Sequence, residues 1–126
     1  MASTVLIIED HKALRGSLRD WLQTEFADCC WLEAASGEAA LTVARRQLPD
    51  LVLMDIDLPH WDGAHVMEQV KLVAAQAPVI VLTMHEAPEY RADVDVAGAS
   101  GYVVWRNVRT DLTPIVQQLL CATGWR

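Results

Sequence analysis

The sequence predicts an α/β fold, a single doubly wound (βα)5 domain around a five-stranded parallel sheet. Three observations predict it. Apolar runs of strand length recur near residues 4–8, 29–34, 51–54, 79–82 and 101–104. Helical patterns fill most of the gaps between them. The 126 residues suffice for one sizeable core, and no linker, repeat or low-complexity segment divides them. Strands that are covered by helices on both faces read as continuous apolar runs rather than as alternating ones.

The first helix is expected over about 12–26, with Leu14, Leu18, Trp21, Leu22 and Phe26 on one stripe and Arg19 and Asp20 on the opposite face. A second, over about 37–47, follows Ser36 as N-cap and stops before Pro49. The third, over about 64–75, offers Val66, Val70 and Val73. The fourth, over about 88–97, starts with Pro88 in its first turn and has a thin apolar face of Tyr90, Val94 and Ala97. The fifth, over about 111–122, carries Leu112, Ile115, Val116 and Leu119, and Gly124 follows it.

Composition excludes several classes of function. No apolar run approaches the roughly 18 residues of a membrane-spanning helix, although 52% of the chain is hydrophobic. The N-terminus has no export signal, so a cytoplasmic protein is expected. A net charge of −7 with scattered Lys and Arg disfavours direct nucleic-acid binding by this chain. Cys29, Cys30 and Cys121 show no metal-ligand spacing, so all three are expected to serve packing in a reducing compartment. His11, His60 and His65 likewise lack zinc-site spacing and read as surface or loop residues. Trp61 and Trp125 read as exposed aromatics.

The chemistry is carried where apolar runs end on polar groups. Leu51–Met54 delivers Asp55, and Pro59, Asp62 and Gly63 then turn the chain. Val5–Ile8 delivers Glu9 and Asp10, and Val79–Leu82 delivers Thr83. Ligands of open α/β sheets bind beyond the carboxyl ends of the strands, so topology gathers these groups in one place. Clustered carboxylates repel, and a hard divalent ion resolves the conflict. Magnesium fits, because it prefers oxygen ligands and takes only one or two carboxylates beside its waters and phosphate oxygens. Asp55 is then free to attack phosphorus. Taken singly, each acid is an ordinary turn former; their joint occurrence at successive strand ends is what points to phosphoryl chemistry.

The spacing Asp-x-x-Leu-Pro-x-x-Asp-Gly from Asp55 to Gly63, together with Glu9-Asp10, Thr83 and Gly101-Tyr102, resembles the receiver domains of two-component response regulators, which have the flavodoxin-like fold. The likeness spans essentially all 126 residues. It implies that Asp55 is the phosphoacceptor and that Glu9 and Asp10 form the acidic pair, with Asp10 a direct Mg2+ ligand and the main-chain carbonyl of Asp57 another. It also implies that Thr83 bonds the phosphoryl group, and that Tyr102 moves with it to switch the face built from the fourth helix, fifth strand and fifth helix. Asp57 and His85 match positions that tune hydrolysis of the aspartyl phosphate. The implied partner is a sensor histidine kinase, which Arg15 and Arg19 are placed to meet, and the implied assembly a homodimer through the switching face. Self-phosphorylation and autodephosphorylation aside, no enzyme activity is implied.

Asp10-His11 with Arg15 and Leu18, and Gly98-Ala99-Ser100-Gly101-Tyr102, are similar to receivers of the LuxR/NarL-type transcriptional regulators. That makes residues 1–126 the receiver portion of a longer regulator with a helix-turn-helix output domain, although length alone predicts no separate output module.

One departure stands out. Where such receivers carry a Lys four residues after the strand-five Gly, this chain has Trp105, whose indole has one N–H donor and no charge. Arg106 is adjacent, but strand alternation points it to the other face unless the strand ends early. A second reading is therefore an atypical receiver that binds partners without phosphate. A remote third is a haloacid-dehalogenase-like phosphatase, suggested by Asp55-Ile56-Asp57 but lacking a suitably placed later Lys. A dinucleotide-binding enzyme is disfavoured, because no Gly-x-Gly-x-x-Gly follows the first strand.

Overall fold

The computed structural model describes residues 3–57, 63–84 and 98–122. In chain order the elements are β1 (Thr4–Ile8), α1 (Lys12–Glu25), β2 (Cys30–Ala34), α2 (Gly37–Arg46), β3 (Leu51–Asp55), α3 (Gly63–Val73), β4 (Val79–Thr83) and β5 (Gly101–Val104). A 3₁₀ turn, Trp105–Asn107, then leads into α4 (Val108–Ala122). The helix expected over 88–97 falls outside the described residues, as do His60, Trp61, His85 and Trp125.

All five strands are parallel, in the order β2-β1-β3-β4-β5. Strand alternation divides the apolar side chains between two cores. Leu6, Ile8, Val52, Met54, Val79, Val81 and Tyr102 face the helices α2 and α3, whose Ala40, Ala44, Met67 and Val70 close that layer. Val5, Ile7, Leu51, Leu53, Ile80, Leu82 and Val103 face α1 and α4, where Leu18, Leu22, Leu112, Val116 and Leu120 meet them. Every residue of β1, β3 and β4 is buried, which is why these runs carry no polar alternation.

Local signals explain the helix boundaries. Ser36 caps α2, its Oγ accepting from Ala39 N at 3.1 Å. His11 caps α1 by accepting from Leu14 N through Nδ1 at 3.1 Å, a structural role for a residue read from sequence as surface. α4 starts three residues earlier than the expected 111, continuous with the 3₁₀ turn, and admits Pro114 on its exposed side. Gly63 opens α3 because nothing larger fits: a Cβ there would lie 2.2 Å from Ile56 Cγ1 and 2.8 Å from Ile56 O.

Three expectations need correction. Leu14 is exposed, because α1 begins just past the end of β1 and its first turn projects beyond the sheet. Cys29 is buried, but Cys30 is exposed at the head of the edge strand β2, so packing does not account for it. The stripe of α3 is centred on Met67 and Val70, with Val66 and Val73 partly buried beside them. No described helix is long and apolar enough to cross a membrane.

Candidate functional site

The chain leaves β1 for β2 on one side and returns to place β3 on the other, so the carboxyl ends of β1 and β3 flank the point where the strand order reverses. Glu9 and Asp55 stand there. The Glu9 amide extends the pairing with β2 by donating to Ala34 O at 3.0 Å. Glu9 is buried, and its carboxylate accepts from Asp10 N at 3.0 Å. Asp55, only 8% exposed, stands beside Glu9 and accepts from Asp57 N through Oδ1 at 2.9 Å. Asp10 is exposed beside them.

Burial governs the protonation of this pair. It pushes the Glu9 carboxyl up to about 8, and the hydrogen bond with Asp55 and the charges of Asp55 and Asp10 push the same way. Asp55 is also raised by burial, although bonds from Glu9, the Asp57 amide and the Trp105 indole pull it back down. Among the described residues, no three His, Cys, Asp or Glu side chains form a ready-made metal cage.

The four charged and polar residues following or ending the strands do not all meet in the same way. Thr83, fully buried at the end of β4, donates its hydroxyl to Asp57 Oδ1 and Oδ2, at 3.0 and 2.8 Å. Met84 N donates to Asp57 Oδ2 at 2.7 Å. Asp57 therefore uses its side chain, besides the main-chain carbonyl singled out from sequence. Tyr102 is buried in the core under α2 and α3, on the same strand parity as Thr83.

Trp105 has the parity of Val103 and packs against the core under α1 and α4. Asp55 shares the parity of Leu51 and Leu53, which belong to that core, so Trp105 and Asp55 lie on the same side of the sheet, and the indole N–H is a donor that draws the Asp55 carboxyl back down. β5 does end early, at Val104, and Arg106 lies exposed on the 3₁₀ turn.

Sequence reasoning missed one support. Arg15 Nη1 donates to Glu9 O at 2.8 Å, and its Nε pairs with Glu33 Oε1 at 2.9 Å, with the Arg15 side chain only 14% exposed. Arg19 bridges Glu33 and Asp20. These two arginines are engaged within the domain: Arg15 braces the turn that carries the acidic pair. An Arg four residues before another, facing an acid on β2, is the only signal the sequence offered.

A family model described as the response regulator receiver domain matches residues 5–117. The chain belongs to this family. The receiver is 36% identical over 105 residues to the chemotaxis protein CheY of Halobacterium salinarum, covering 82% of this chain and 84% of that one. It is 33% identical over 109 residues to the transcriptional regulatory protein MctR of Rhizobium johnstonii, covering 85% of this chain and 50% of that one. The receiver spans about half the length of the curated transcriptional regulators it matches. A solved LuxR-family response regulator from Aurantimonas shares 26% identity with a TM-score of 0.81, over 100% of this chain and 89% of that chain. A CheY-like receiver from Methanospirillum hungatei, at 23% identity, shares the fold with a TM-score of 0.87, over 98% of each chain. Receiver domains are signalling modules of two-component systems rather than conventional enzymes, so the phosphatase reading falls away.

Proposed function

We propose that this receiver accepts a phosphoryl group on Asp55 from a sensor histidine kinase and passes the change to an output through Thr83 and Tyr102. The observation that carries the proposal is the placement of Asp55: a buried carboxyl group at the strand-order reversal, beside Glu9 and oriented by the Asp57 amide. An anionic oxygen is the form that attacks phosphorus. The likeness to LuxR-family and other transcriptional regulators supports a transcriptional output, in a longer protein whose receiver pairs through the face built on β5 and α4.

Magnesium is the metal this donor set suits. Glu9, Asp10 and Asp55 with the Asp57 main-chain carbonyl would hold it, all oxygen donors, and Asp55 and Asp10 already strain the charge balance of Glu9. Bound there, the ion supplies positive charge to the transferring phosphoryl oxygens. The chain's own residues do the rest: Arg15 fixes the Glu9 turn, the Asp57 amide orients Asp55, and Thr83 offers a buried hydroxyl.

Trp105 favours a second reading, a receiver that signals by partner binding without phosphate, since the indole supplies no cation. Intact-protein mass spectrometry after incubation with magnesium and acetyl phosphate, beside Asp55→Asn, separates the two. A labile gain of one phosphoryl group that vanishes in the variant is the expected result. No gain, with no binding of magnesium or beryllofluoride, favours the second reading.

A further inference from the structure

The Thr83 hydroxyl, proposed above to bond the phosphoryl group, already donates to an anion of the protein's own. Asp57 Oδ2 takes both Thr83 Oγ1 and Met84 N, at 2.8 and 2.7 Å. At its other end the same residue donates its amide to Asp55 Oδ1. Asp57 thus physically connects the phosphoacceptor to the switch hydroxyl. The sheet register explains how. Asp55 pairs with Leu82, so Thr83 lies one residue beyond the last β3 partner, and its parity sends it to the opposite sheet face from Asp55. A residue on the loop just past β3 is placed to span that gap.

We propose that the Asp57 carboxylate is an intramolecular stand-in for phosphate: an autoinhibitory latch that holds Thr83 Oγ1 and Met84 N until a phosphoryl group on Asp55 displaces it. This rests on Asp55 being the phosphoacceptor. The physical grounds are threefold. Hydrogen bonds to an ionised acceptor are about twice as strong as neutral ones, so the latch is worth breaking only for another anion. A hydroxyl has a single proton to donate, and Thr83 is fully buried, so the two anions compete for it directly. A phosphoryl dianion on Asp55 also repels a carboxylate two residues away, which makes phosphorylation itself the force that opens the latch. The unmodified receiver is thereby held in one of two discrete states, and part of the affinity for phosphate is spent on reaching the other.

The test is magnesium-dependent beryllofluoride binding by isothermal titration calorimetry to the wild-type chain, Asp57→Ala and the isosteric Asp57→Asn. Each is measured with and without Thr83→Ala. Asp57→Ala is expected to bind about tenfold more tightly than wild type, which corresponds to about 1.4 kcal/mol, with Asp57→Asn between them. The gain is expected to shrink in the Thr83→Ala background, because the contested donor is gone. A gain of equal size in both backgrounds reflects only the loss of a negative charge and overturns the latch, as does no gain where the wild type binds. A readout free of metal and ligand accompanies it: the Met84 amide proton resonance is expected to move upfield in Asp57→Ala, and an unmoved resonance overturns the latch. Should no form bind beryllofluoride or take a phosphoryl group from acetyl phosphate, the Asp55 reading fails and the latch with it. Binding by Asp57→Ala alone supports the latch.

Discussion

Trp105→Lys exchanges a neutral donor for a cation at the Asp55 carboxylate, and its consequences for rate and for stability run in opposite directions. In phosphoryl transfer, charge is spread over the equatorial oxygens, and there is little for the protein to do beyond positioning and electrostatic stabilisation. A neutral hydrogen bond contributes about 1 kcal/mol and one involving a charge about 1.5–3. A difference of about 1.4 kcal/mol in the transition state is about tenfold in rate. Stability moves the other way. The Trp105 ring packs against the core that contains Leu82, Val103 and Leu112, and a Lys stem replaces only part of that contact. Losing roughly 50–80 Å² of apolar burial at about 25 cal/mol per Å² costs about 1–2 kcal/mol. The assay is phosphoprotein formation from acetyl phosphate and magnesium followed by intact mass, with urea unfolding alongside. A folded Trp105→Lys that is phosphorylated within twofold of the wild-type rate refutes the view that the missing cation limits the chemistry.

Three further outcomes follow from the same structure. Glu9 is raised from an ordinary 4.5 to about 8, so between these values the native state holds a proton that the unfolded chain has lost. Metal-free stability therefore falls as pH rises through that window, by at most about 1.4 kcal/mol per pH unit. Urea unfolding in chelator at pH 5.5, 7 and 8.5 should show this decline in wild type and a flatter profile in Glu9→Gln; a rise with pH contradicts it. Gly63→Ala places a Cβ inside contact distance of the Ile56 carbonyl and side chain, so it should cost about 1–3 kcal/mol and lower the thermal midpoint by several degrees. Arg15→Ala should cost about 1–2 kcal/mol and weaken magnesium binding severalfold by calorimetry, because Arg15 braces the Glu9 carbonyl; Arg19→Ala, on a more exposed pair, should have a smaller effect on both.

The fold was legible because its strands are covered on both faces. β1, β3 and β4 are entirely buried, and a run such as Val79-Ile80-Val81-Leu82, rich in β-branched residues and too short for a helix, reads as a covered strand. Positions where a single helix face meets a rim were harder. Leu14 satisfies the stripe rule for α1, yet the first turn of α1 lies beyond the sheet, and periodicity carries no information about how far a neighbour extends. Cys30 failed for the related reason that β2 is an edge strand, and edge position depends on strand order rather than on local composition. The role of Gly63 was read as that of a turn former, while the decisive constraint is the nearness of Ile56.

The site divides along the same line. Which groups reach the carboxyl end of the sheet follows from where apolar runs stop, and Glu9, Asp55 and Thr83 were found that way. Which acceptor each donor takes depends on register and loop path, and these are set by the whole sheet. The Thr83–Asp57 bond joins residues 26 apart in sequence, across two strands and the helix between them, and no local pattern encodes it. This bond changes the meaning of Trp105. Taken alone, the indole is a missing cation; with a second carboxylate already holding the Thr83 hydroxyl, the site has one positive charge fewer and one contested donor. On the proposed reading, both features weaken the hold on a phosphoryl group. They do so by separable routes, since Trp105 and Asp55 lie on the α1 and α4 side of the sheet, whereas Thr83 has the parity of the α2 and α3 side. On the proposed reading, the two routes differ in what relieves them: a new cation at position 105, or the loss of an anion at position 57.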